Sequence, residues 1–103
     1  MRVHHRITIA RAMEVIAIDP WGRLFYRQKN GSNLAGDVAR YRVKKNRPHL
    51  MIDGISIPAT KVAWMIQLKE YPPVIPMTRN HSRDDFVVSN LTLNVDDLIW
   101  VMA

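Results

Sequence analysis

The sequence predicts an α+β fold: a small antiparallel β-sheet built from hairpins, with two or three short helices, in one domain over residues 1–103. Three observations carry this. Asp53-Gly54 lies between the apolar runs His49-Leu50-Met51-Ile52 and Ile55-Ser56-Ile57, and such a pair favours the turn whose twist matches two paired strands. Ala59 to Leu68 puts Ala59, Val62, Ala63 and Ile66 on one stripe at helical spacing. Arg23-Leu24-Phe25-Tyr26-Arg27 alternates charged and apolar side chains, the pattern of a half-buried strand.

The remaining elements follow in chain order. Thr8 to Ile18 reads as a short amphipathic helix, with Ile9, Met13 and Ile16 on its apolar side. Strand competes there, because Ile7-Thr8-Ile9 and Val15-Ile16-Ala17-Ile18 also suit a pleated surface. Asp19-Pro20-Trp21-Gly22 is a turn: proline presets one dihedral and glycine tolerates a positive one. Lys29 to Asn33 is a loop, Ala39 to Lys44 a second strand, and Lys44 to Pro48 a basic turn into the Asp53-Gly54 hairpin. Pro58 suits the start of the 59–68 helix, and Glu70-Tyr71-Pro72-Pro73 ends it. Val74 to Asp85 reads as polar loop, followed by the short apolar run Phe86-Val87-Val88. Asn94 caps a last helical start with Asp96 and Asp97 near its positive end, and Leu98 to Met102 continue it as a turn or two against the core.

Composition narrows the function classes. The absence of cysteine excludes disulfides and thiolate zinc sites, and a reducing compartment is the simplest setting for so small a chain. No stretch approaches the roughly 20 apolar residues that span a bilayer, and no signal peptide is expected. The net charge of +6 is uneven: residues 1–50 carry eleven Lys/Arg and three Asp/Glu, residues 51–103 four and six, so the halves are +8 and −2. A basic half of this kind attracts polyanions, nucleic acid first among them. The competing reading is a solvated face that blunts a sheet edge.

Several pieces occur in a telling order. They are Ile18-Asp19-Pro20-Trp21-Gly22-Arg23-Leu24-Phe25-Tyr26, Ala35-Gly36, Met51-Ile52-Asp53-Gly54, Ala59-Thr60-Lys61-Val62-Ala63-Trp64, Tyr71-Pro72-Pro73 and Asp85 to Leu91. From about Glu14 to Leu93 the chain resembles the phage HNH endonucleases of the homing type. The resemblance implies an HNH-like ββα core, a phage source and the host cytoplasm. It also implies that catalysis is lost. Where these enzymes carry a histidine and arginine at the helix start, this chain has Thr60 and Lys61; their Asp-His pair falls on Pro76-Met77 or Met77-Thr78, and their later asparagine on Phe86. None of these takes a proton from water or holds a divalent metal well. Asn80 and Asn90 keep their identity, Asn90 as a structural residue. His81, Asp84 and Asp85 lie in the right segment for a displaced metal site, against a plainer reading as solvated loop; His4, His5 and His49 read as surface residues.

The expectation is therefore a non-enzyme with no cofactor and no metal, whose partner is double-stranded DNA or a host nucleic-acid-processing protein. The candidates for nucleic acid are Arg40, Arg42, Lys44, Lys45 and Arg47, with Lys61, Arg79 and Arg83 where the resemblance puts its DNA-facing motif. On an Ala39–Lys44 strand, Arg40, Arg42 and Lys44 would share one face. The candidates for protein are loop aromatics and apolar residues: Trp21, Tyr71, Pro72, Pro73, Ile75 and Met77, with Val74 and Pro76 between them. The competing readings are core packing for Trp21 and loop stiffness for the prolines; a Tyr-Pro-Pro segment could also hold a cis bond.

Overall fold

The computed structural model describes residues 6–99. Helix α1 spans Ile9–Val15, capped by Thr8, whose side chain accepts from the Arg11 amide at 3.1 Å. The chain passes directly into β1, Ile16–Ile18, so the ambiguous 8–18 segment is helix over seven residues and strand over the last three. Val15 and Ile16 are both buried, which lets the core hold the junction whichever way the backbone runs. Strand β2, Leu24–Tyr26, pairs antiparallel with β1 across the Asp19-Pro20-Trp21-Gly22 turn, which the Gly22 N–H closes by donating to the Asp19 carbonyl.

A three-stranded antiparallel sheet follows, in the order β3 (Arg42–Lys44), β4 (Arg47–Ile52), β5 (Ile55–Pro58). Both of its turns have two residues. Lys45 and Asn46 connect β3 to β4, and Asp53 and Gly54 connect β4 to β5; all four have positive φ, the conformation such turns require. The expected strand over Ala39–Lys44 shortens to Arg42–Lys44, because Val38 and Ala39 instead bond back to β2, Ala39 donating its N–H to the Leu24 carbonyl. Arg40 thus lies off the strand. Pro48 is tolerated inside β4 because it lies opposite Val43 and beyond the end of β5, which stops at Pro58 opposite His49.

Helix α2 runs Ala59–Leu68 and stops at Lys69, whose left-handed backbone sends its N–H to the Met65 carbonyl. α2 packs against α1, β1, β4 and β5, with Ala59, Val62, Ala63 and Met65 fully buried. Ala12 of α1 and Ala63 of α2 are small enough for the two helices to approach closely. Leu24, Tyr26, Leu50, Ile52 and Phe86 complete the core, each contributing roughly 1.5–3 kcal/mol by burial. Tyr26 spends its hydroxyl on the Met51 carbonyl at 2.7 Å and so ties the β1–β2 hairpin to β4.

Two corrections concern the C-terminal third. Met77–Thr78 form a short strand, β6, within the expected loop, paired antiparallel with β7, Leu91–Thr92. Strands of two residues carry no readable alternation. The Asn94 cap is real, its side chain accepting from the Asp96 N–H, but only the 3₁₀ turn Val95–Asp97 follows. Leu98 is extended, and the Ile99 N–H bonds to the Arg79 carbonyl, so the expected helix does not pass through 98–99; its remainder, Trp100–Met102, lies outside the described residues. A second 3₁₀ turn covers Val88–Asn90. The Gln67 side chain of α2 holds this segment by donating to the Phe86 carbonyl and accepting from the Val88 N–H.

One polar hub ties three elements together. Arg11 of α1 donates two parallel bonds to the Asp53 carboxylate, each 2.8 Å, and buried Asn30 exchanges two more with Asp53. Arg11 foremost, then Asn30, hold the Asp53 carboxyl down at about 2. A carboxyl lowered on folding stabilises the fold above its ordinary range near 3.8, and that contribution is lost as pH falls through about 2. Asp53→Asn keeps a residue suited to the left-handed turn and removes the charge. Its melting temperature should fall less between pH 4 and pH 2 than that of the parent; parallel thermal scans check this, and identical slopes would show that the hub adds nothing to acid sensitivity.

Candidate nucleic-acid interface

The β3–β4 hairpin presents a basic face by simple alternation. Register pairs Arg42 with His49 and Lys44 with Arg47, so these four share one face, while Leu50 and Ile52 turn into the core from the other. Lys45 projects at the turn. At the turn end of this hairpin lies a groove of about 300 Å³. Its walls come from four places: Asn46, Arg47 and Pro48 of the hairpin, Thr60 at the start of α2, Pro76 to Thr78 around β6, and His81, Ser82 and Arg83 of the following loop. Leu98 adds an apolar edge.

The loop is held from within. Ser82 accepts from the Asp84 and Asp85 amides and donates to the Asp84 carboxylate at 2.7 Å; the Thr78 hydroxyl donates to the Ser82 carbonyl. Asn90 donates to the Asn80 side chain and the Asp85 carbonyl. His81 has a positive φ and its Nε2 lies 2.9 Å from the Ile99 carbonyl. Asp84 faces Ser82 and a neighbouring cleft, and Asp85 packs by Gly22, so these three side chains point to different partners. Among the described residues no three His, Asp or Glu side chains converge as metal ligands would.

The expected nucleic-acid residues divide. Arg42, Lys44, Lys45 and Arg47 are together on the hairpin, and Arg83 meets Arg47 across the groove. Lys61 is half-buried on α2 and Arg79 follows β6; neither lines the groove. Arg40 borders a separate cleft with Ser32, Asn33 and Asp37, because it is not on β3. None of these eight side chains takes part in an ion pair among the described residues, where the pairs are Arg11 with Glu14 and Asp53, and Arg23 with Asp19.

The expected protein-binding residues do not form one patch. Tyr71 is half-buried and its hydroxyl accepts from the Ile9 N–H at 3.1 Å; Pro72 is buried, and no described peptide bond is cis. Ile75 is half-buried, Pro73 exposed, and Met77 belongs to the groove. Trp21 is not core: it is 73% exposed, with the Arg23 guanidinium 5.6 Å from its ring centroid. The turn beneath it is rigid. One Asp19 oxygen accepts from the Trp21 and Arg23 amides, and the other from the Arg23 side chain. Desolvation works against ionisation of Asp19, but these bonds from Arg23 and the Trp21 amide prevail and lower its pKa.

Sequence reasoning missed the polar lining, Asn46, Thr78 and Ser82, and treated Thr60 only as a missing histidine. One signal was present: Ile57-Pro58-Ala59 opens a helix without Ser, Thr, Asp or Asn at the capping position. No family model, curated protein or solved structure matches this chain. No described helix is long and apolar enough to cross a membrane.

Proposed function

We propose that this protein binds nucleic acid without cutting it, along the basic hairpin face and into the groove beside α2. The observation that carries this is the set of cations on β3, its turn and β4, of which Arg47 shares the groove with Arg83, with no carboxylate paired to them among the described residues. Unpaired guanidinium and ammonium groups in a row suit phosphates, which fix register without reading sequence. We read the scaffold as an HNH-like fold of phage type, acting in the host cytoplasm on double-stranded DNA. Thr60, Met77 and Thr78, the positions its resemblance assigns to catalytic side chains, all line the groove, and Phe86 is buried. A threonine hydroxyl and a thioether neither activate water nor grip a divalent ion, so the reading is binding alone.

The test is retardation of a labelled 20-base-pair duplex across a salt series. With four or five phosphates neutralised, log K should fall against log salt with a slope of about −4. Arg47→Ala and Arg83→Ala should each weaken binding several-fold and flatten the slope by about 1. Binding that ignores salt, or is untouched by both changes, contradicts the proposal. A second reading, direct capture of a host nucleic-acid-processing protein, is favoured by the exposed Trp21 on its rigid turn. It requires Trp21→Ala to abolish partner binding in nuclease-treated extract while leaving duplex binding intact.

A further inference from the structure

We infer that Trp21, Arg23 and Asp84 form a subsite for one unpaired guanine base. The inference rests on the nucleic-acid reading and deepens it, adding a base site beside the basic groove. The three side chains line one cleft of about 420 Å³. A single loop walls both spaces: Ser82 and Arg83 line the groove, and Asp84, next in the chain, lines the cleft. A strand whose phosphates follow the groove therefore passes the cleft on the other side of this loop.

Each side chain is held in place and still has binding capacity to spare. A lone exposed tryptophan is ordinary. This one stands on a turn that Asp19 fixes, accepting from the Trp21 and Arg23 amides at 2.9 Å each, so little order is lost when a ligand stacks on it. Arg23 spends its Nε on Asp19 at 2.7 Å, which keeps the guanidinium 5.6 Å from the indole centroid. Its two terminal nitrogens have no acceptor among the described residues. Asp84 receives the Ser82 hydroxyl on Oδ1 at 2.7 Å, and its Oδ2 has no donor among the described residues. Arg23 and Asp84 carry opposite charges on the same cleft, yet no ion pair joins them. A ligand with donors on one edge and acceptors on another would satisfy both.

Guanine has those edges. Its N1–H and 2-amino groups form a donor pair matched to a carboxylate, and its O6 and N7 an acceptor pair matched to a guanidinium. None of the other three bases offers both pairs. The ring itself stacks on indole, as unpaired bases do on aromatic side chains. In a duplex the ring faces and the Watson–Crick edge are already used, so the site takes a base outside the helix.

Titration of the full chain with dGMP, followed through the tryptophan indole N–H resonances, tests this. The chain has three tryptophans, and Trp21→Phe identifies the signal of Trp21. dGMP should move that signal and saturate in the millimolar range. dIMP, which lacks only the 2-amino group, should bind about tenfold more weakly, and deoxyribose 5-phosphate should leave the signal in place. Asp84→Asn still accepts the Ser82 hydroxyl and should lose most of the preference for dGMP over dIMP. In gel retardation, a duplex with a short guanine overhang should bind about tenfold more tightly than the same duplex with blunt ends. Trp21→Ala should abolish that difference and leave blunt-duplex binding unchanged. A Trp21 signal indifferent to dGMP, one that answers all three probes alike, or a dGMP preference that survives Asp84→Asn overturns the site. The two proposals separate cleanly. Salt-dependent duplex binding with an indifferent Trp21 keeps the nucleic-acid reading, removes the base site and leaves the indole to a protein partner. A dGMP-specific shift without retardation of either duplex keeps the site, as one for a free guanine nucleotide, and removes the nucleic-acid reading.

Discussion

Gly22→Ala should lower stability by about 3–4 kcal/mol, enough to move the melting temperature by more than 10 °C. Two separate effects add. Gly22 has φ +86°, where a Cβ costs roughly 1–2 kcal/mol. The new methyl would also collide with the Asp85 carboxylate and come within 2.9 Å of the Phe86 backbone nitrogen. The carboxylate can swing away; the Phe86 nitrogen cannot, because it donates to the Gly22 carbonyl at 2.9 Å. Overpacking a fixed backbone costs about 1–3 kcal/mol. Gly54→Ala serves as control: its φ is +77° but nothing lies within 4 Å of a Cβ there, so only the conformational penalty applies. Urea denaturation of both variants decides the matter. Equal losses would mean that the 19–22 turn and the 85–86 backbone are not pressed together.

The contrast between these glycines marks what the sequence discloses. Both sit in recognisable turns, Asp-Pro-Trp-Gly and Asp-Gly, and both turns form where local chemistry places them. The bounds of α2 were legible for the same reason, since its stripe and its flanking proline are local signals. The close approach of Gly22 to Asp85 joins residues far apart in the chain, and no local pattern encodes it. The β6–β7 pair is equally silent, because each strand contributes two residues. The 8–18 segment suited two structures and adopts both in succession, with burial of Val15 and Ile16 deciding the switch point. At the site, the hairpin cations could be aligned from alternation alone once β3 was placed. Arg40 went astray because the backbone of Val38 and Ala39 bonds to β2. The meeting of Arg47, Thr60 and Arg83 depends on how the hairpin, α2 and the 81–85 loop pack, which charge counts do not encode.

Phe86→Asn should be the most damaging substitution in the chain, and its failure bears on function. Phe86 is fully buried, with its ring edge-on to Tyr41 at a centroid distance of 5.3 Å and an interplanar angle of 72°. The surroundings are apolar enough that burial pushes the Tyr41 phenol up to about 12. Removing the ring costs about 3–5 kcal/mol through lost transfer and a cavity. A buried amide without partners adds about 1–3 kcal/mol. The sum approaches the whole stability expected of a chain this size, about 5–15 kcal/mol, so the variant should be largely unfolded at 37 °C. Phe86→Leu, which keeps an apolar filler, should lose only part of this and remain folded. Far-ultraviolet circular dichroism with urea titration measures both. Asparagine is the residue that the HNH resemblance assigns to this position. If Phe86→Asn unfolds the chain, an asparagine at this position conflicts with the core, and the fold does not accommodate the residue that the resemblance assigns there. A Phe86→Asn protein with a urea midpoint close to that of Phe86→Leu would show instead that position 86 can turn outward, and the account of a core closed around residue 86 would be wrong.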